Sequence, residues 1–133
     1  MTSFPKRRPI NALALATMLL LTTTALSMQR TGFTRVRFPR GRTTMVLKGS
    51  LLNNASKEYL LSARAGQTMS VHVTSPQGRA WFDVYPRSDR SGLPDSAEDT
   101  KDWEGKLPKS GDYVISVYTE DGNTRYTLEV TIR

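Results

Sequence analysis

The chain has 133 residues, with 19 Lys and Arg against 12 Asp and Glu, a single His and no Cys. These numbers exclude a second independent core, a disulfide-stapled scaffold, a thiol nucleophile and a histidine-cluster metal site. The formal charge of +7 overstates the working domain, because three of its cations sit in a segment that reads as removable.

Residues 1–27 have the three-part build of a secretory signal peptide. Lys6, Arg7 and Arg8 open it, Ile10 to Leu21 is almost wholly apolar, and Ala25 and Ser27 allow cleavage after either small residue. A bilayer span needs ~20 apolar residues. This run is about a dozen, and Thr22, Thr23 and Thr24 dilute it. The expectation is a cleaved signal and no transmembrane anchor. Without Cys no acyl-anchored lipoprotein forms, so the product is expected to be free, either periplasmic or secreted. Removing the three early cations leaves 16 basic and 12 acidic residues, a net +4, on a single domain at 28–133.

Beyond Ser27 the chain shows alternation rather than a helical period. Arg35–Phe38 alternates basic and apolar before Pro39-Arg40-Gly41 turns the chain. Thr43–Leu51 places Met45 and Leu47 on one face. Asn53-Asn54 is a turn, since Asn tolerates the left-handed region. Glu58–Arg64 presents Tyr59, Leu61 and Ala63 on one side, and Ala65-Gly66 turns again. Gln67–Thr74 carries Met69, Val71 and Val73 inward. Ala80–Tyr85 puts Phe82 and Val84 on one face, with Trp81, Asp83 and Tyr85 on the other. Pro86 to Asp102 is aperiodic, the long loop of the domain, and a loop of that length is either functional or mobile. Trp103–Leu107 is a short strand ended by Pro108. Two clear strands close the chain. Tyr113, Ile115 and Val117 mark the first, and Tyr126, Leu128, Val130 and Ile132 the second. Glu120-Asp121-Gly122-Asn123 between them reads as a hairpin turn. About eight strands joined mostly by short turns predict an all-β fold, an antiparallel β-sandwich.

Chemistry is sparsely supplied. His72 falls on the face opposite Val71 and Val73 and reads as a half-exposed strand residue. Asp95, Glu98, Asp99, Asp102 and Glu104 crowd one loop, either solvated or holding calcium through oxygen ligands. Their spacing fits no compact loop template, and Lys101 stands among them. No catalytic residues, metal or cofactor are expected, and a hydrolase would have only unpartnered Ser and Asp to use. Arg30, Arg35, Arg37, Arg40 and Arg42 crowd the start of the domain. They read as a charged strand edge, or as a stretch facing anionic envelope polymers or lipid head groups, not nucleic acid. Trp81 and Tyr85 share a face. If open, they make a platform on which a sugar ring stacks; otherwise that face packs.

Three blocks carry a resemblance. Tyr59 to Val71 (YLLSARAGQTMSV), Trp103 to Tyr118 (WEGKLPKSGDYVISVY) and Tyr126 to Val130 (YTLEV) resemble bacterial pre-peptidase-like β-sandwich domains, in particular the periplasmic inhibitors of g-type lysozyme. The resemblance implies a binding module acting by surface or loop insertion, with a lysozyme as protein partner. The second reading is a carbohydrate- or peptidoglycan-binding sandwich using Trp81 and Tyr85. Family contact positions carry over at Ser110, Tyr113 and Arg125. The chain departs from the family at Ser116, where an arginine is expected, and in the short acidic stretch Thr119–Thr124. That departure implies that the acidic tip lies outside any lysozyme cleft.

Overall fold

The computed structural model describes residues 32–91, 93 and 97–133. The expected signal peptide at 1–27, the start of the domain at 28, Arg30 and Asp95 lie outside the described residues. Eight strands are formed: β1 Thr34–Arg35, β2 Thr44–Leu51, β3 Ser56–Ala63, β4 Thr68–Thr74, β5 Trp81–Pro86, β6 Asp102–Lys106, β7 Gly111–Tyr118 and β8 Thr124–Ile132. They make two four-stranded sheets, ordered β1-β3-β7-β5 and β2-β8-β4-β6. Alternation decides what each strand buries. Met69, Val71 and Val73 share one core with Phe82 and Val84, and with Tyr113, Ile115 and Val117 of β7 and Tyr126, Leu128 and Val130 of β8. Apolar rows at period two can be dried only by a second sheet laid face to face.

Three expectations change. The stretch after Tyr118 is not a hairpin: β7 pairs with β3 and β5, whereas β8 pairs with β2 and β4. Residues 119–123 instead form an arch that carries the chain from one sheet to the other. Gly122 takes φ +80°, but Asp121 stays out of the left-handed region, which a two-residue type I′ turn would require at both central positions. The first strand shrinks to Thr34–Arg35 and runs parallel to β3, so the sandwich is not wholly antiparallel. Only Val36 extends it, donating its N–H to Leu60 O at 2.9 Å. Finally, the end of the long loop is zipped onto β5. Val84 N–H donates to Ala97 O, and Phe82 and Thr100 exchange backbone hydrogen bonds. Backbone groups at the edge of β5 are thereby satisfied and closed to other strands.

Across the outer face of the first sheet, Arg35 reaches over β3 to Asp112. Its Nη2 lies 2.8 Å from Oδ2, while Ser62 Oγ donates to Oδ1 at 2.9 Å. The Arg35 guanidinium, helped by Ser62, holds the Asp112 carboxyl below the usual aspartate range. A carboxylate whose folded pKa is depressed stabilises the fold above its unfolded pKa, and that contribution is lost as pH falls through the folded value. Asp112→Asn should therefore lower the urea midpoint at neutral pH. Its gap from the parent should close as pH drops below the aspartate range.

Gly49 is fixed by packing. A Cβ there would stand 2.5 Å from the hydroxyl oxygen of Tyr126 and 2.7 Å from Cζ, and Tyr126 is itself held by a hydrogen bond to the Tyr59 hydroxyl in the core. Gly49→Ala should cost about 1–3 kcal/mol, the usual range for overpacking, read as a lower urea midpoint with unchanged slope.

Candidate functional site

At the end of the sandwich where β7 crosses into β8, three connections converge. They are the β2–β3 turn, the short 3-10 turn Pro76–Gly78 and the arch at 119–123. Pro76 starts the 3-10 turn with a fixed φ, and Gln77 and Gly78 both take φ near +60° to reverse it. Asn53 and Asn123 clasp two of the connections. Asn53 N–H donates to Asn123 Oδ1 at 2.9 Å, and Gly122 N–H donates to Asn53 Oδ1 at 2.8 Å. The side chains thus satisfy the backbone donors of the bend and fix its shape.

Between these connections runs a groove of two contiguous hollows, about 480 and 570 Å³, which share Ser50, Pro76 and Arg125. Its charged lining is Lys48, Arg79 and Arg125. Among the described residues no carboxylate stands within ion-pair distance of any of the three. The Arg79 guanidinium lies against the arch, 3.2 Å from where a Cβ on Gly122 would be. Leu52, 70% exposed, stands among the lining residues as an apolar contact. Glu120 and Asp121 are exposed on the same arch but do not line the groove. The arrangement is a rigid concave surface offering cationic donors and one apolar anchor, which suits a partner presenting carboxylates.

The residues singled out from the sequence are scattered. Arg125 lines the groove. Ser110 precedes β7 whereas Arg125 follows the arch, so the eight-residue strand separates them by roughly 25 Å at ~3.3 Å per residue. Ser110 Oγ accepts a hydrogen bond from Ala65 N–H at 2.8 Å. Tyr113 is buried, its hydroxyl donating to Lys109 O at 2.6 Å, where it braces the β6–β7 turn as a tyrosine corner does. The structure therefore does not bring Ser110, Tyr113 and Arg125 into one surface.

Trp81 and Tyr85 do share an outer face, and Trp81 is 37% exposed. Each ring already carries a cation: Lys101 Nζ lies 4.1 Å from the Trp81 centroid, and Arg90 Cζ 4.9 Å from that of Tyr85. Tyr118 stands opposite Trp81 and donates to Asp99. Its partial burial and that carboxylate push its pKa up. A sugar ring would have to displace these cations to stack. His72 is exposed, with Nδ1 3.4 Å from Asp102 Oδ1. The acidic residues of the long loop disperse. Glu104 accepts from Ser70 Oγ at 2.8 Å, Asp99 N–H donates to Asp83, and no group among the described residues could hold a metal ion.

Sequence reasoning missed Lys48, Arg79 and Leu52. The visible signals were an apolar residue directly before the Asn53-Asn54 turn and an arginine directly after Pro76-Gln77-Gly78. The clasp is testable by itself. Asn53→Ala removes the acceptor of Gly122 N–H, so that amide should exchange with solvent several-fold faster while amides in β7 keep their protection.

The fold and the groove define a small β-sandwich that presents a preorganised cationic surface at one end. Among solved structures, the chain resembles the periplasmic inhibitor of g-type lysozyme from Aeromonas hydrophila, PliG, at 30% identity and a TM-score of 0.65. The match covers 76% of this chain and 96% of that one. The Salmonella Typhimurium PliG matches at 21% identity and TM-score 0.56, over 77% and 99%. The pre-peptidase C-terminal domain of a Bacillus anthracis collagenase matches at 18% and 0.52, over 77% and 95%, and shares the fold. No family model matches the chain, and no curated protein matches it by sequence. The chain belongs to the family of periplasmic inhibitors of g-type lysozyme.

Proposed function

We propose that this protein is exported, loses residues 1–27, and acts as a proteinaceous inhibitor of a g-type lysozyme by docking its groove end on the enzyme. The observation that carries the reading is the unpaired cationic lining, Lys48, Arg79 and Arg125, beside exposed Leu52 in a chain of this family. Glycosidase clefts hold catalytic carboxylates. Three cations with no ion-pair partner among the described residues can approach such a cleft without first breaking an ion pair. The clasped connections support the same reading, because a rigid surface loses little entropy on docking.

The acidic tip and the opposite end have different parts in this proposal. Glu120 and Asp121 would face a cleft carboxylate with like charge, so they stay outside it. Ser110 and Tyr113, a strand's length away, take no part in this docking.

The test is inhibition of a panel of g-type lysozymes by the exported form, residues 28–133, which contains every strand of the described fold. Arg79→Glu with Arg125→Glu should weaken inhibition by at least a hundred-fold, whereas Ser110→Ala should leave it unchanged. Glu120→Lys with Asp121→Lys should leave it unchanged or strengthen it, most visibly at low salt. Undiminished lysis with every enzyme in the panel would remove the proposal. Loss of inhibition in the Glu120 and Asp121 variant would move the contact to the tip.

A further inference from the structure

The end of the sandwich opposite the groove carries a larger cluster of exposed cations. It gathers the turn after Pro39, the β3–β4 turn, the β6–β7 turn and the residues after β5, brought together because β3 runs toward this end and β7 away from it. Backbone hydrogen bonds tie these segments to one another: Gly66 N–H to Leu107 O, Arg87 N–H to Asp112 O and Ile132 N–H to Thr43 O. Arg40, Arg42, Arg64, Arg87, Lys109 and Arg133 are all exposed there. The carboxylates nearby are Asp89 and Asp112, and Asp112 is already engaged by Arg35 at 2.8 Å and Arg87 at 3.8 Å. Segments that are remote in sequence thus build one basic pole.

We propose that this pole is a docking surface for anionic phospholipid bilayers. The cations ring a blunt end on four separate connections and on Arg133 after β8, and do not line a thread-like channel, so the complementary surface is broad and flat. A shallow hollow of about 500 Å³ opens between Arg87 and Lys109, with Ser88 and Ser110 on its wall. It offers Lys109 and two hydroxyls to a phosphate, while the Asp112 carboxylate, also on its wall, is countered by Arg35 and Arg87. Ser110 Oγ uses a lone pair on Ala65 N–H, which leaves its own proton to donate. Such attachment is electrostatic and reversible, growing with each cation near the surface. It also points the groove away from the membrane, so both ends can work at once. This inference does not depend on lysozyme inhibition.

Co-sedimentation of residues 28–133 with vesicles tests it. Vesicles of phosphatidylglycerol and phosphatidylethanolamine should carry the protein down at low salt and release it as salt rises, while pure phosphatidylcholine vesicles should not. Arg64→Gln with Lys109→Gln should weaken binding roughly thirty-fold, and Arg125→Gln at the far end should leave it unchanged. Equal binding to phosphatidylcholine, or indifference to the pole's charges, would overturn the proposal. So would retention on polyphosphate or nucleic acid without vesicle binding, which would assign the pole to a soluble polyanion.

Discussion

Everything in this molecule depends on the dry core shared by its two sheets, to which β7 and β8, each an interior strand of its own sheet, supply central rows. β7 presents Tyr113, Ile115 and Val117, and β8 presents Tyr126, Leu128 and Val130, all nearly or completely dry. With no disulfide in the chain, this apolar interlock is what holds the sheets together, at about 25 cal/mol for each Å² withdrawn from water. The two strands are neighbours in sequence, so the arch between them sets how the sheets lie over one another. The Asn53–Asn123 clasp and the hydrogen bond from Thr119 N–H to Ala55 O anchor that arch to the β2–β3 turn.

The same arrangement gives the sandwich two unlike ends. At the arch end the connections stand apart and leave a groove whose three cations have no ion-pair partner among the described residues. At the other end Tyr113 and Ser110 pin the turns close, and the exposed cations form a blunt surface. The shortest ion pair among the described residues, Arg35 with Asp112, serves to tie the two-residue β1 across β3 to β7. Exposed ion pairs are individually weak. Here the pair gains geometry from two guanidinium donors and Ser62 acting on one carboxylate.

The chain keeps the sandwich of its family. Ser116, where the resemblance expects an arginine, lies buried in the middle of a sheet face, between Asp83 and Glu58 in register. It is not at the groove. A charge at that position would address the outer face that carries Trp81, Tyr118 and Tyr85. In this chain that face is occupied by its own lysine and arginine.

The strands, and which side of each faces inward, were legible in the sequence, because alternation is a local property fixed by the pleat. Met45, Val71, Phe82 and Leu128 fell inward as the period-two pattern required, and Asn54 took the left-handed conformation that its turn implied. Pairing was not legible. Asp121-Gly122 between two strong strands is locally a hairpin signal, yet each strand found its hydrogen-bond partners elsewhere. Nothing local says that Lys48, Arg79 and Arg125 share a groove, or that Arg64 and Lys109 share a pole. Those neighbourhoods arise from which strand edges pair across the whole chain, and a side chain's own sequence neighbours carry no record of that choice.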